Sequence, residues 1–221
     1  MKALIILSGG ADSSTALWWA KKNKKFDYIE ALFIFYGSRQ NKTEIQYAKK
    51  QCRELGVKLN IINIGTALKG FNSLLLDKNS KIPNAKYDSE NLQDLVVPFR
   101  NGIFLSLAAG LASSKGFDYI ILGNHSGDHE LYPDCRANFI KAIKQAILLG
   151  TDNQVKVLSP FCKLLKSEII KKGAELGVNY KNTYSCYTGK KIHCGECPTC
   201  RERKEAFLLN KIKDNTIYER N

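Results

Sequence analysis

Ser8-Gly9-Gly10-Ala11-Asp12-Ser13-Ser14 sets three hydroxyls and one carboxylate around a glycine pair. Before it runs Ala3-Leu4-Ile5-Ile6-Leu7, a short apolar run of the kind that forms a fully buried strand. After it, Thr15-Ala16-Leu17-Trp18-Trp19-Ala20 has the pattern of the first turns of a helix. A strand, a Gly-Gly turn and a helix N-terminus together make an anion site. Glycines let backbone N–H groups approach phosphate oxygens, and the helix dipole favours negative charge there. Ser8, Ser13 and Ser14 offer hydroxyl donors, and Asp12 is expected to cap the helix. The spacing is not Gly-x4-Gly-Lys-Ser/Thr, so the P-loop of that type is excluded. The plainer alternative is an ordinary serine-rich turn.

Cys186-x7-Cys194-x2-Cys197-x2-Cys200 is the second chemical pattern. Four thiolates at short spacing, with Gly195 and Pro198 tightening the turns, suit tetrahedral Zn²⁺. An iron–sulfur cluster, or His193 in place of one cysteine, are the alternatives at this point. Four cysteines leave no open position for water or substrate, so a zinc here is expected to be structural and to pin the tail, including a helix at 198–209. Cys52 and Cys162 lie in apolar patterns and are expected to fill core space.

Three further segments carry polar groups. Arg100 and Asn101 follow Val97-Pro98-Phe99 at a helix start, where an arginine can grip phosphate with two parallel hydrogen bonds. Residues 124–136 gather His125, Asp128, His129, Glu130, Tyr132, Asp134 and Arg136, able to recognise a polar heterocycle. His125, Asp128 and His129 also raise a second metal as an option, against the plainer reading of a polar loop with an N-cap at Asp134. Lys163 and Lys166 precede the last long helix of the main body, and either could face phosphates or simply solvent.

The elements that must position these groups alternate. Strands are expected at 3–7, 28–35, 59–64, 118–122 and 155–158, and helices at 12–23, 41–55, 100–115, 134–149 and 166–176. Gly56, Gly150 and Gly177 serve as C-terminal stops. This rhythm predicts an α/β fold, a doubly wound parallel sheet of five strands. Residues 8–14, 36–40, 123–128 and 159–166 then follow the C-terminal ends of strands, where open parallel sheets bind ligands. Residues 65–94 are too long for an ordinary connection and are expected to cover a site or make an interface.

At 221 residues and 44% hydrophobic, the chain can bury a real core as one main domain at 1–180. Residues 181–221 are expected to form a small zinc-binding segment, with its C-terminal helix packed on that domain. Met1 leads straight into a strand, so no signal peptide is expected, and no run of about eighteen apolar residues predicts a membrane span. Seven cysteines, four of them crowded together, fit metal binding in a reducing, cytoplasmic setting better than disulfides. The net charge of +13 comes from lysines scattered in short clusters. Without an arginine-rich tail or a nucleic-acid module, it suggests a solvated basic face that attracts small anions, with no specific nucleic-acid partner.

The 8–14 loop resembles the Ser-Gly-Gly-x-Asp-Ser loop of the ATP pyrophosphatase (PP-loop) superfamily. Several other segments narrow the likeness: Phe35-Tyr36-Gly37-Ser38-Arg39-Gln40, Val97–Asn101, Phe104–Ala109, Tyr132-Pro133-Asp134-Cys135-Arg136, Lys166-Ser167-Glu168, Ser185-Cys186-Tyr187 and Cys194-Gly195-Glu196-Cys197-Pro198-Thr199-Cys200. With these the chain resembles the 7-cyano-7-deazaguanine synthase family over nearly its whole length. It departs in having Ser38 and Gln40 where that family often has glutamine and histidine, and at 125–131. The resemblance implies an adenine nucleotide alpha hydrolase-like sheet and a ligase that acts on 7-carboxy-7-deazaguanine, ammonia and ATP, with Mg²⁺ and Zn²⁺. It further implies a homodimer, while the expectation of no membrane partner rests on the absence of a long apolar run. It implies that Ser8, Gly9, Gly10, Ala11, Asp12, Ser13 and Ser14 bind ATP, and that Asp12, Ser13, Arg100 and Lys166 are catalytic. Asp134 and Arg136 are the choices for substrate, and Cys186, Cys194, Cys197 and Cys200 for zinc. A tRNA-thiolating enzyme of the same superfamily, a zinc-stabilised binding module without catalysis, and a synthase using another amine acceptor are the competing functions.

Overall fold

The computed structural model describes residues 1–84, 90–128 and 132–220. Five parallel strands form one sheet: β1 (Lys2–Ile6), β2 (Tyr28–Phe35), β3 (Lys58–Asn63), β4 (Tyr119–Ile121) and β5 (Lys156–Leu158). Their order is β3-β2-β1-β4-β5. The chain winds outward from β1 to β3, then crosses back to β4 beside β1. That reversal opens a crevice at the carboxyl ends of β1 and β4, the place where doubly wound sheets bind ligands.

Side-chain alternation along the central strands explains why both faces are covered. Ala3 and Ile5 of β1, Leu7 just beyond it, and Ala31 and Phe33 of β2 bury one face. They meet helices α1 (Ala11–Lys22) and α2 (Asn41–Leu55) and the start of α5 (Lys166–Leu176). Leu4, Ile6, Leu32 and Ile34 bury the other against α3 (Arg100–Lys115) and α4 (Ala137–Gly150). Strands apolar on both faces cannot tolerate water on either, so the alternating helices are required. Cys52 fills the first of these cores as expected, and burial pushes its thiol up to about 12. The tail helix α6 (Pro198–Leu209) lays Ala206 and Phe207 against Ile170, Val178, Tyr180 and Ala11.

Four expectations change. Helix α4 starts at Ala137, three residues late, because Pro133–Cys135 forms a 3-10 turn and Arg136 is extended. Asp134 therefore caps no helix of its own. Helix α1 has Gly10 at its N-cap and no side-chain cap, since Asp12 sits inside the first turn with its carboxylate engaged elsewhere. Residues 65–84 do not line the cleft described below. Leu68, Leu75, Leu92 and Leu95 instead extend the α3-side core. Finally, Leu92–Lys115 is long and apolar enough by length and composition to cross a membrane, which was not expected. Half of its apolar window is buried, and Phe104, Leu105, Ala108 and Ala112 pack on the sheet, the behaviour of a core helix.

Candidate active site and metal centre

The crevice is an open cleft that holds about 1120 Å³, counting its mouth. Ser8, Gly10, Ala11, Asp12 and Ser13 line its floor, followed by Asn124, His125 and Lys166. The floor loop is held from within. Ser8 N donates to Ser13 Oγ at 3.2 Å, Gly10 N donates to Ser8 Oγ at 3.2 Å, and the two hydroxyls lie 3.0 Å apart. Gly9 has φ of 85°, and a Cβ there would stand 2.7 Å from the Glu44 carbonyl oxygen. Only glycine lets the loop lie this close to α2, and the Gly9 carbonyl accepts the Tyr184 N–H at 2.9 Å. Ser14 does not join the hydroxyl set: it is fully buried behind the loop and lines no part of the cleft.

Four charged or titratable side chains meet beside the loop. Lys166 Nζ lies 2.5 Å from Asp12 Oδ2 and 3.7 Å from Glu202 Oε2. His125 Nε2 lies 4.0 Å from Asp12 Oδ2 and 3.8 Å from Glu202 Oε1. Burial pushes the Asp12 carboxyl up, but Lys166 and His125 outweigh it and hold the group below its ordinary value. Asp12 Oδ1 is buried with no hydrogen-bond partner among the described residues. Lys163 is exposed on the approach to α5 and does not line the cleft.

Arg100 opens α3 on the far wall, its guanidinium 5.6 Å from the Tyr132 ring centre. Phe99, just before it, adopts φ of 55°, a strained conformation for a non-glycine residue that sets the angle at which α3 starts. Burial works against the arginine's charge, but Tyr36, Tyr132, Tyr187 and Cys135 around it hold its proton well above the ordinary affinity. Asn101 lies in the same wall, with Nδ2 3.1 Å from Cys135 Sγ. Asp134 faces the other way. Its Oδ2 accepts the Asn101 N–H at 2.7 Å, satisfying an orphan donor of the first turn of α3. Neither Asp134 nor the exposed Arg136 lines the cleft. His129 and Glu130 lie outside the described residues, so the second metal option keeps only His125 in view, and it faces Asp12 and Glu202.

Sequence reasoning missed the α2 and tail residues of the cleft. Asn41 Oδ1 accepts the N–H groups of Tyr36, Gly37 and Ser38 at 2.9, 3.0 and 3.1 Å, which clamps the β2–α2 turn. Glu44, one helical turn on, lines the cleft with Gln40. Tyr184, Ser185, Tyr187, Thr199 and Glu202 arrive from the tail. A polar residue at the first turn of α2 following a glycine was a usable signal; the tail residues gave none, because only tertiary packing brings them here.

The tail is organised by its cysteines. The Sγ atoms of Cys186, Cys194, Cys197 and Cys200 all lie within 4.8 Å of one another. Cys197–Cys186 and Cys194–Cys200 separations are 3.8 and 4.0 Å. Four sulfurs about 2.3 Å from a tetrahedral centre stand about 3.8 Å apart, so the set fits one mononuclear metal ion. In a four-iron cluster each cysteine holds its own iron, which needs wider spacing. Backbone N–H groups of Cys194 and Cys197 donate to sulfur at 3.3 Å, the support that thiolate ligands need. His193 is not in this set: its Nε2 accepts the Ser185 N–H at 3.0 Å, and burial first, then Arg203, pushes its pKa down to about 4. Gly195 has φ of 84°, and a Cβ there would lie 1.9 Å from the Arg220 carbonyl oxygen. Arg203, fully buried, forks onto Asp214 at 3.0 and 3.2 Å and reaches Thr183 Oγ1 at 2.8 Å, closing the tail over α6.

Residues 2–211 match the family model described as queuosine biosynthesis protein QueC. A 7-cyano-7-deazaguanine synthase of Porphyromonas gingivalis is 44% identical over 217 residues, covering 98% of this chain and 97% of that protein. One from Desulfotalea psychrophila is 42% identical over 216 residues, covering 98% of each. Among solved structures, the NMN synthetase from Francisella tularensis aligns with TM-score 0.54 and 16% identity over 97% of this chain and 78% of that one. The U34-tRNA thiolase NcsA from Methanococcus maripaludis, with its [4Fe-4S] cluster, aligns with TM-score 0.51 and 16% identity over 96% and 66%. At that identity the two structures share a fold with this chain and nothing finer.

Proposed function

The chain belongs to the QueC family of queuosine biosynthesis proteins, and from that premise we propose an ATP-dependent carbon–nitrogen ligase, a 7-cyano-7-deazaguanine synthase. Its substrates in this reading are 7-carboxy-7-deazaguanine, ammonia and ATP. The observation that carries the reading is one cleft in which the serine–glycine loop, Lys166 and Arg100 meet at the switch point of the sheet.

A carboxylate is a poor electrophile because attack would have to expel oxide. Transfer of AMP to one carboxylate oxygen, with pyrophosphate leaving, supplies a good leaving group. Ammonia then attacks the carbonyl carbon and AMP departs with that oxygen, leaving the amide. A second adenylation on the amide oxygen, followed by loss of AMP and the N–H protons, gives the nitrile. In this scheme the N–H groups and hydroxyls of Ser8, Gly9, Gly10, Ala11 and Ser13 hold the phosphates, with Ser14 supporting the loop from behind. Lys166 and Arg100 stabilise the charge that develops as pyrophosphate and AMP leave, and Asp12 keeps Lys166 in position. Mg²⁺, when bound, offsets phosphate charge, and the unpartnered Asp12 Oδ1 suits it as an oxygen donor. The four-cysteine set suits Zn²⁺, which would staple the 181–221 segment onto the 1–180 nucleotide domain and so hold Tyr184, Ser185, Thr199 and Glu202 in the cleft. Asp134 supports the site through α3. The protein in this reading is cytoplasmic and homodimeric, and its basic surface serves solubility and anion steering.

The test is incubation with the carboxylate, ATP, Mg²⁺ and ammonium, with mass spectrometry of the products and a parallel arm containing tRNA. Nitrile formation without tRNA is the expected result. ATP cleavage that requires tRNA and ignores the small carboxylate would replace the reading with tRNA thiolation.

A further inference from the structure

The N-terminus of α2 presents two acceptors to the cleft that the chemistry above does not use. Gln40, its N-cap residue, is 3% exposed, and its side-chain Oε1 has no hydrogen-bond partner among the described residues. Glu44 follows at i+4, on the same helix face. Its Oε2 accepts Asn41 Nδ2 at 3.0 Å, and Asn41 is itself locked by the three N–H groups it receives. The carboxylate is thus held in one orientation while its Oε1 takes no hydrogen bond from any described residue. Gln40 Oε1, buried without a donor, is costly unless a ligand supplies one, while Glu44, half-buried on the cleft wall, keeps its Oε1 open to the same ligand.

The surroundings describe that ligand. Tyr36, Phe104, Tyr132 and Tyr187 line the same region, with Tyr36 and Phe104 in edge contact at 5.2 Å and the Tyr132 and Tyr187 hydroxyls 2.9 Å apart. Aromatic walls with acceptors between them fit a flat heterocycle carrying an N–H edge. A 2-amino-4-oxopyrimidine ring has such an edge: its ring N–H and one amino N–H are parallel and match one carboxylate, and the second amino hydrogen is left for another acceptor. We propose that Glu44 and Gln40 form the subsite that reads the N–H edge of the substrate's aminopyrimidinone ring. This rests on the synthase reading for the identity of the substrate. It moves ring selection from Asp134 and Arg136, which lie outside the cleft, to α2. It also gives a role to Gln40, one of the two positions at which the 36–40 segment departs from the usual pattern of its family. Burial supports the assignment: it pushes the Glu44 carboxyl up to about 7, although Asn41 and Arg100 pull it down, as expected of an acceptor awaiting donors.

The test is calorimetric titration of the whole protein, without ATP, with 7-deazaguanine and with 7-deazahypoxanthine, which lacks the 2-amino group. Wild type should prefer 7-deazaguanine by roughly 10- to 100-fold, the discrimination of a good two-pronged hydrogen-bond pair. Glu44→Gln, which keeps the size of the side chain and can still accept from Asn41, should reduce that preference to within about threefold. Gln40→Leu should weaken it partly. A wild type that binds the two bases equally or not at all, or a Glu44→Gln that keeps the full preference, overturns the proposal. So does a Glu44→Gln whose only defect is a higher KM for ammonium, which would make the pair an ammonium site. Nitrile formation is measured separately, so loss of the synthase reading and loss of this subsite give different results.

Discussion

Replacing Lys166 by methionine removes the only lysine of a compact charge cluster while keeping most of the side chain's length. Lys166 then no longer stands 2.5 Å from Asp12 and 3.7 Å from Glu202, and both carboxylates lose that positive charge while His125 stays beside them. The side chains of Lys166, Asp12 and Glu202 are only 12–20% exposed, so water does little to screen them. Removing one partner from such a set should destabilise by about 3 kcal/mol. In a chain of this length that is a melting-temperature loss of roughly 6–12 °C. The loss should also depend on pH. In wild type the folded Asp12 pKa lies below its unfolded value, so the pairing stabilises above the ordinary carboxylate range and is lost as pH falls through the folded pKa. Without Lys166, burial dominates and the folded pKa rises above the unfolded one. The buried charge then destabilises most at high pH, and the penalty is relieved as the carboxyl takes up its proton. The melting-temperature gap between wild type and variant should therefore be widest at pH 8 and narrow toward pH 5. Thermal melts of both proteins across that range, with equal Zn²⁺, provide the comparison. A gap that stays constant with pH, or no gap at all, would refute the electrostatic account of the cluster.

Ser8→Ala should keep the melting temperature within about 2 °C, since Ser8 is exposed, and lower kcat by roughly 10- to 100-fold by loosening the phosphate loop, as steady-state ATP turnover would reveal. Elemental analysis should find one zinc per chain, and proven removal by chelation should lower the melting temperature and expose α6 to proteolysis; an unchanged melt would count against a structural metal. Arg203→Met should destabilise by about 3 kcal/mol in urea unfolding, because it strands Asp214 with only Tyr218 and Thr216 as donors. Asp134→Ala should cost about 1 kcal/mol by freeing the Asn101 N–H, and should change kcat through Arg100 more than it changes the KM for ATP.

The sheet was legible because β1 and β2 are apolar on both faces, a pattern that only helices on each side can satisfy. The floor of the cleft was legible because glycine at 9 and 10 and serine at 8 and 13 mark a tight strand–turn–helix junction through local backbone rules. Asp12 was placed in the right loop but given the wrong partner: local capping logic could not know that Lys166, 154 residues away, would reach its carboxylate first. Asp134 was grouped with the cleft residues because a polar residue after a strand end looks ligand-facing, and only packing shows that its carboxylate bonds the start of α3. Gln40 lay in the 36–40 segment already placed at the ligand edge, and Glu44 follows it by one helical turn, whereas the tail residues Tyr184 and Glu202 reach the cleft only through packing of the cysteine-rich segment, which no spacing in the sequence reports. The cysteine spacing, by contrast, carried its geometry with it.

Conversion of a carboxylate into a nitrile by two successive adenylations is the core of the proposed reaction. It is tested most directly with 7-carboxy-7-deazaguanine labelled with ¹⁸O at both carboxylate oxygens, given ATP, Mg²⁺ and ammonium. Each adenylation transfers one oxygen to the AMP that leaves. Mass spectrometry should therefore find unlabelled nitrile and two AMP per nitrile, each carrying one ¹⁸O. Label in inorganic phosphate, ADP in place of AMP, or no nitrile from the free carboxylate would contradict the account.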